Sequence, residues 1–263
     1  MLANLWRLVD VLQITFLGTG TSHGVPVIGC ECPVCTSNNG KDKRTRSSIL
    51  VETEGKSLLI DTANEFRLQA LQEGIKKIDA VLYTHCHADH VFGFDDLRIF
   101  SQRSGKSIPI YGNPTTIDEI YQVFSYVFRK TQKGGGKPQV NPIKVEGGFA
   151  VEGVDVLPIP IYHGVLPIYG YRIGRMAYIT DCSQLPRESK ALLQDLDLLI
   201  LGVIRYQPHS THFHVDAAIG LVSELLPKRT YFTHISHYLA HEDVNARLPR
   251  GIELAYDGLK MKI

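Results

Sequence analysis

The segment at residues 84–90, with the sequence THCHADH, constrains this chain more than any other feature. It follows directly on the apolar run AVLY, which is typical of a buried strand. Because residues two apart at a strand end point to the same side, His85 and His87 can bind one divalent metal. Asp89 and His90 lie beyond the strand end and can turn toward a second metal. A surface-exposed polar turn is the alternative, but a cluster this dense in imidazole and carboxylate groups is better explained as a set of ligands.

Three later residues extend this set in the same way. Each follows an apolar run of the β type: His163 after VLPIPIY, Asp181 after MAYIT, and His234 after TYFT. Taken singly, each is more typical of a cap or of a satisfied polar group. Taken together, they place imidazole and carboxylate groups at strand ends, where loops converge on a cleft at one edge of a sheet sandwich.

The motif HxHxDH, followed in order by a lone histidine, an aspartate and a final histidine, resembles the metallo-β-lactamase superfamily. The resemblance implies an α/β fold, a four-layer αββα sandwich, built as a single domain. It also implies a dinuclear metal site. We assign one ion to His85, His87 and His163 and the other to Asp89, His90 and His234. Asp181 is the candidate bridge between the two ions.

Length and composition agree with one such domain. The 263 residues, 44% of them hydrophobic, can bury the core that a single sandwich requires. We predict a hydrolase domain over residues 12–263, preceded by a leader at residues 1–11 of unassigned role. Arg7 and Asp10 interrupt that leader, so a signal peptide is not expected. No apolar stretch has the length needed to cross a bilayer, and the cytoplasm is the expected location.

Hydrophobic periodicity predicts alternating strands and helices along most of the chain. The early strands follow one another closely, and the helices fall mostly between later strands. No element is predicted between the helical pattern that ends at residue 128 and the strand that begins at residue 154. Within this stretch, the glycines from Gly134 to Gly136 rule out a packed element. They form either a flexible connection or a mobile flap over the cleft.

A second cluster of metal-ligating residues contains three cysteines: Cys30, Cys32 and Cys35. Without a secretion signal a structural disulfide is disfavoured, and three thiolates suit a tetrahedral zinc ion that needs one further nitrogen or sulfur ligand. His237 is the candidate, because it follows His234 so closely that one short turn can serve both sites. The alternative is a loop with free cysteines. Cys86 and Cys182 are expected to be small apolar residues rather than ligands.

The CxCxxC cluster and the HISH ending narrow the resemblance. Together with TFLGTGTSHGVPVIGC before the cysteines and SQLP after Asp181, they resemble the phosphoribosyl 1,2-cyclic phosphate phosphodiesterase family of the carbon-phosphorus lyase pathway, from about residue 12 to the C-terminus. The resemblance implies a small-molecule cyclic phosphate as substrate. It also implies that the histidine of an HxD pair, His214 with Asp216, assists the phosphodiester chemistry. His212 lies close by, so either imidazole is a candidate general acid.

The expected chemistry is metal-dependent hydrolysis of a phosphoric diester. Two divalent ions about 3.5 to 4 Å apart, manganese or zinc, can hold a hydroxide that attacks phosphorus and can stabilise the developing charge. Asp89 is therefore counted as catalytic as well as a ligand. Protonation of the leaving alkoxide by an imidazole, with His214 as first choice, is worth about 10² to 10⁴ in rate. Arg44 and Arg46 could hold phosphate oxygens, or could be solvated charges on an exposed loop.

Other functions stay open from the sequence alone. A tRNA 3′-processing nuclease of the same fold needs an arm that docks RNA, and a net charge of +1 gives no large basic face for nucleic acid. Hydrolysis of a thioester, lactone or lactam is a further alternative, because a fold does not determine a substrate. A non-catalytic metal-binding module has no need for seven ligands around an open metal position. The oligomeric state is open, and a homodimer is one option.

Overall fold

A computed structural model describes residues 11–130 and 136–263. Most of the predicted leader, residues 1–10, lies outside these ranges, as do Gly134 and Gly135. The described strands are β1 (Gln13–Gly18), β2 (Ser48–Thr53), β3 (Lys56–Ile60), β4 (Ala80–Leu82), β5 (Ile108–Gly112), β6 (Val140–Lys144), β7 (Phe149–Val151), β8 (Val154–His163), β9 (Leu166–Ile173), β10 (Met176–Ile179), β11 (Leu198–Gly202), β12 (Arg229–Thr233), β13 (Ile252–Leu254) and β14 (Lys260–Lys262). The described α-helices are α1 (Phe66–Gln72), α2 (Ala88–Val91), α3 (Leu97–Ser104), α4 (Pro114–Val123), α5 (Ser125–Phe128), α6 (Arg187–Ala191), α7 (Val215–Leu225) and α8 (His241–Asn245).

The strands form two seven-stranded sheets. The first has the order β14-β1-β2-β3-β4-β5-β6, and the second has the order β13-β12-β11-β10-β9-β8-β7. In the first sheet β3, β4, β5 and β6 are parallel neighbours, and in the second β10, β11, β12 and β13 are parallel neighbours. Because parallel strands end at the same edge of a sheet, the loops that follow β3 and β4 emerge at one edge of the first sheet, and those that follow β10 and β12 emerge at one edge of the second.

Three apolar cores hold the layers together. The central core lies between the sheets and contains residues of both, such as Phe16 of β1 and Tyr178 of β10. A second core joins the outer face of the first sheet to α1, α3 and α4, and includes Phe66 and Phe100. The third joins the outer face of the second sheet to α7 and α8, and includes Leu221. The helix–sheet–sheet–helix order that the resemblance implied is therefore confirmed.

Local signals explain where several helices begin and end. At the start of α4, the side chain of Asn113 accepts a hydrogen bond from the backbone N–H of Thr116, and Pro114 takes the first helical position, where no N–H is needed. At the end of α3, Gly105 adopts a φ of 67° and closes the helix in the left-handed region. Among the described residues no helix has the length and apolar character to span a membrane.

The predicted elements differ from the structure mainly in the middle of the chain. The continuous helical pattern at residues 115–128 is divided at Phe124 into α4 and α5. The short strands β6 and β7, which periodicity did not predict, lie at the edges of their sheets. In β6, Pro142 interrupts the strand pattern, and an edge strand tolerates the missing N–H.

Candidate active site and metal centre

The strand ends bring together all seven residues that the sequence picked as ligands for two catalytic ions. One group contains His85, His87 and His163, and the other contains Asp89, His90, Asp181 and His234; within each group the candidate ligand atoms lie within 4.8 Å of one another. Their places follow from the topology, because the first group comes after β4 and at the end of β8, and the second group comes from α2 and the ends of β10 and β12.

The backbone adopts a left-handed conformation just after β3, β10 and β12. Asp61 after β3, Asp181 after β10 and His234 after β12 have φ values of 63°, 53° and 56°. Left-handed backbone is uncommon for residues other than glycine and tends to occur at functional sites, where the surrounding structure offsets its cost. Each of the three side chains is buried. The same turn geometry therefore directs a carboxylate or an imidazole to the cluster from both sheets.

Asp181 stands between the two groups. Its Oδ1 lies 3.4 Å from Nε2 of His90 and 3.2 Å from Nε2 of His234, and its Oδ2 lies 4.0 Å from Nε2 of His85. Asp89 also faces the second group, with its Oδ2 3.2 Å from Nε2 of His90. One carboxylate thus reaches ring nitrogens of both groups, as a residue shared by two ions must.

Several ring nitrogens in the cluster are buried without a hydrogen-bond partner among the described residues. These are Nε2 of His85, Nε2 of His90 and both nitrogens of His234. Unpaired buried polar atoms are rare and costly, so they require an explanation. Divalent ions fit this donor set of imidazoles and carboxylates, because each ion would satisfy several of these atoms at once.

Supporting residues fix which nitrogen each imidazole presents. Nδ1 of His90 donates to Oδ2 of Asp61 at 2.7 Å, and Nδ1 of His163 donates to the carbonyl oxygen of Thr211 at 2.8 Å. Asp61 also accepts from the backbone N–H and hydroxyl of Thr84, at 2.9 and 2.8 Å. With Nδ1 engaged in this way, Nε2 of both histidines is left for a metal. Asp61 was not picked from the sequence, although it follows an apolar strand directly, as Asp181 does.

The charges of the cluster are strongly coupled. Burial opposes ionisation of Asp181, but the neighbouring His234 and His90 hold the pKa of its carboxyl well below the usual range. Burial lowers the pKa of His85, and the nearby His90 lowers it further. A neutral His85 beside an ionised Asp181 is the protonation state that metal binding requires of these two residues. For His90, burial opposes protonation, but the carboxylates of Asp89 and Asp181 raise its pKa, so an ion would take the place of its Nε2 proton.

A second group of candidate ligands lies beside the first. Nδ1 of His237 is 3.3, 3.4 and 3.5 Å from the sulfur atoms of Cys30, Cys32 and Cys35. All five cysteines of the chain are free thiols. Burial opposes ionisation of Cys32, but hydrogen bonds from the backbone of Cys35 and from neighbouring side chains lower its pKa to about 6. A thiolate at neutral pH and three further donors around one point suit a tetrahedral ion such as zinc.

Comparison with known proteins identifies the family. The beta-lactamase superfamily domain matches residues 56–235. A crystal structure of a new diphosphatase from the PhnP family is 45% identical in sequence, with a TM-score of 0.92, and the similarity covers 97% of this chain and 98% of that one. The chain belongs to the metallo-β-lactamase superfamily, and within it to the PhnP family. The superfamily and the fold that were inferred from the sequence are therefore confirmed. The chain described here is a metal-dependent hydrolase.

This chain is also similar to two more distant proteins. An octanoyltransferase of Porphyromonas gingivalis is 39% identical over 253 residues, which are 95% of this chain and 51% of that protein. The chain thus spans about half the length of this relative. The structure of Zn²⁺-bound PqqB from Methylobacterium extorquens is 20% identical, with a TM-score of 0.78, and covers 95% of this chain and 99% of that one. This second similarity shows the shared fold.

In the structure of this chain, His212 rather than His214 borders the cluster of histidine and aspartate ligands. The ring of His212 lies 4.7 Å from that of His163 and 5.0 Å from that of His234, measured between centroids, and its Nδ1 is 3.9 Å from Oδ2 of Asp181. His214 is the residue before α7, and among the described residues its side chain makes no hydrogen bond, ion pair or ring contact with a cluster residue. The positions of the two rings therefore favour His212 over His214 as the candidate general acid.

The structure also corrects the sequence-based view of two arginines. Arg44 is buried, and its Nη1 donates to Oγ1 of Thr19 at 2.7 Å and to the carbonyl oxygen of Ala255 at 2.6 Å. Arg46 forms an ion pair with Glu65. Arg44 is therefore neither a solvated charge nor available to substrate phosphate. Arg46 is partly exposed, and its guanidinium is paired with a carboxylate.

Proposed function

We propose that this chain is a dinuclear metal-dependent phosphodiesterase that hydrolyses a small cyclic phosphate of the phosphoribosyl 1,2-cyclic phosphate type. The observation that carries the proposal is the pair of ligand groups that share Asp181, with a further imidazole, His212, directly beside them. Two adjoining sites can hold a phosphate diester between them, and the extra imidazole can act on the group that leaves.

The metal ligands follow from the two groups. We assign His85, His87 and His163 to one ion and Asp89, His90 and His234 to the other, with Asp181 shared. Manganese and zinc both suit these ligands. Divalent ions held there supply Lewis-acid stabilisation of phosphoryl oxygens and lower the pKa of water. Asp61 and Thr211 engage Nδ1 of His90 and of His163, so that Nε2 of each ring is left to bind an ion.

His212 is our candidate for the general acid. Burial, followed by the charge of His234, lowers the pKa of its imidazole to about 3. A phosphate anion beside the ring favours the protonated form, because opposite charges at short distance stabilise each other. Once protonated, the imidazole can pass its proton to the leaving alkoxide oxygen, and the alcohol departs without a developed negative charge.

Cys30, Cys32, Cys35 and His237 form our candidate structural zinc site. The three sulfur atoms come from one loop, and the histidine comes from the loop after β12 that also carries His234. The zinc ion would therefore fasten the N-terminal loop to the catalytic loop, and its binding free energy would be part of the free energy of folding.

A second candidate function is hydrolysis of a diphosphate bond in a small molecule. It is favoured by the 45% identity to a PhnP-family diphosphatase over nearly the whole of both chains. Such a substrate also presents a phosphoryl group with a leaving oxygen that needs stabilisation. The ligand groups and His212 can act on either bond, so the bond that is broken must be determined by experiment.

A substrate panel tests the proposal. The manganese-loaded protein is incubated with bis(p-nitrophenyl) phosphate, adenosine 2′,3′-cyclic phosphate, ribose 1,2-cyclic phosphate, ADP-ribose, a precursor tRNA and a lactone, and kcat/KM is compared. We expect the highest value for ribose 1,2-cyclic phosphate. A higher value for ADP-ribose would replace the proposal by the diphosphate alternative. Turnover of only the tRNA or the lactone would overturn both.

A further inference from the structure

A cavity of about 770 Å³ opens on the first sheet, away from the metal cluster. Residues of β1, β2, β3 and β14 line it, and residues 73–77, which follow α1, form one wall. Lys56, at the start of β3, borders the cavity, whereas Asp61, which supports the metal cluster, follows the other end of this strand. The two residues are therefore roughly 16 Å apart along the strand, and the cavity is separate from the candidate active site.

Lysine is the dominant charged residue of the cavity. Five lysines line it, against two carboxylates, those of Glu52 and Glu73. The chain as a whole is nearly balanced, with 28 lysines and arginines against 27 aspartates and glutamates, so this excess of positive charge is local. A concave surface lined by one sign of charge concentrates the electrostatic potential. The lysines come from three separate segments of the chain: Lys56, Lys76, Lys77, Lys260 and Lys262.

Both carboxylates of the lining already have partners. The Oε2 atom of Glu73 lies 2.9 Å from Nζ of Lys260, and Oε2 of Glu52 accepts a hydrogen bond from Nε2 of Gln13 at 3.1 Å. The two glutamates therefore do not neutralise the remaining lysines of the cavity.

Two of those lysines carry charges that no described carboxylate pairs with. These are Lys76 and Lys262, in contrast to Lys77, whose Nζ lies 3.0 Å from Oδ1 of Asp79. Lysines on an edge strand discourage pairing with another chain, and Lys262 lies on β14, at the edge of the first sheet. This role does not account for Lys76, which lies in the segment after α1. The cavity therefore holds unneutralised charge on two of its sides.

The lining indicates the chemistry of a ligand. A lysine ammonium is a compact point charge that binds phosphate, and none of the described lining residues is an arginine, the residue that favours bidentate binding of a single carboxylate. A chain of phosphoryl groups can reach charges on several sides of the cavity, and Thr15 and Ser57 add hydroxyl groups to its lining. The volume lies within the range of about 300 to 1,000 Å³ that is typical of small-molecule sites.

We propose that this cavity binds a polyphosphorylated small molecule, with Lys76 and Lys262 as its principal charges. The site lies at the opposite end of β3 from the metal cluster, so binding requires neither the catalytic ions nor turnover. The inference goes beyond the proposed function and does not depend on it.

Binding to protein without catalytic ions tests the site, because those ions would themselves bind phosphate groups. The protein is chelated until activity is lost, the chelator is removed, and ATP, tripolyphosphate and AMP are titrated in by calorimetry. The cavity variant is Lys76→Gln with Lys262→Gln. The control is Lys106→Gln with Lys144→Gln, which changes the net charge equally at exposed lysines outside the cavity.

We expect saturable binding of ATP by the wild type, with AMP at least about tenfold weaker. The cavity variant should bind ATP about tenfold or more weakly than the wild type, as expected for the loss of charge-assisted hydrogen bonds, and the control should match the wild type. Tripolyphosphate that binds as tightly as ATP would show that the phosphate chain alone is recognised, and tighter binding of ATP would show that the nucleoside also contributes. Absence of saturable binding, equal affinities for AMP and ATP, or equal affinities of the two double variants for ATP would overturn the site.

Discussion

The two candidate metal sites share one loop but are constructed differently. The His/Asp cluster takes its ligands from strand ends of both sheets, and most of its side chains are buried. The Cys/His cluster takes three of its four ligands from a single loop, and all but Cys35 are partly exposed. His234 and His237, three positions apart, belong to different sites. The comparison indicates that the sheets position the first site, whereas the second site itself positions a loop.

This difference makes two classes of substitution separable. Changes in the His/Asp cluster should remove turnover while the sheets hold the fold, because the apolar cores do not depend on these ligands. Changes in the Cys/His cluster should remove stability while turnover of the molecules that remain folded is preserved.

Asp181→Ala should have the largest effect. It removes the carboxylate that reaches both ligand groups, so we expect phosphodiesterase turnover to fall below detection with little change in the circular dichroism spectrum. Asp118→Ala is the control, since among the residues that the structure describes Asp118 forms an exposed ion pair with Lys144 and no other. Full activity of Asp181→Ala with unchanged metal content would contradict the dinuclear site.

His212→Ala should lower kcat by about 10² to 10⁴ for a substrate with a poor leaving group, which is the usual contribution of a general acid. With bis(p-nitrophenyl) phosphate the loss should be much smaller, because p-nitrophenolate leaves without protonation. His214→Ala is the matched control. If His214→Ala instead showed the larger loss of kcat, and that loss depended on the leaving group, His214 would be the general acid.

Asp61→Asn should have an intermediate effect. An asparagine can keep a carbonyl acceptor for Thr84 but presents an N–H group to Nδ1 of His90, which disfavours the tautomer that leaves Nε2 free. We expect a loss of about 10- to 100-fold in metal affinity or activity, as for other residues that orient metal-bound histidines. Asp79→Asn, at a carboxylate that accepts from the backbone of Ser57, is the control and should not change metal affinity.

Cys32→Ser should have the smallest effect on turnover and a large effect on stability. Loss of a structural zinc ion removes binding free energy on the order of 10 kcal/mol, enough to lower the melting temperature by roughly 10 °C or more. Turnover per folded molecule should change little. Cys86→Ser, at a half-buried thiol outside the cluster, should leave the melting temperature close to that of the wild type. Equal melting temperatures for the two variants would count against a structural zinc ion.

Most of the fold could be predicted because its central strands are long apolar runs. A candidate ligand ends β8 and follows β10 and β12 within two residues, so the same pattern located both the strand and the residue. β6 and β7 were missed for the opposite reason, since an edge strand such as VNPIK buries little and carries no regular alternation. Strands that are buried on both faces are therefore easier to predict from the sequence than strands that are buried on one face.

The parts of the site that could not be predicted depend on where a side chain points. Asp61 resembles an ordinary polar residue after a strand, and only its contacts with His90 and Thr84 show that it orients a ligand. His212 and His214 occupy equivalent positions in the sequence pattern, and the backbone that leads into α7 decides which ring meets the cluster. The direction of such a side chain is set by tertiary structure, and the spacing of residues in the sequence does not determine it.

Zinc content after mild chelation tests the division into two sites most directly. The purified protein is treated with a chelator until phosphodiesterase activity is lost, and zinc per chain and melting temperature are then measured. We predict that one zinc ion per chain stays bound, that the melting temperature stays close to that of the untreated protein, and that added manganese restores activity. A chelated protein that contains no zinc and melts at the same temperature as the untreated sample would contradict the account.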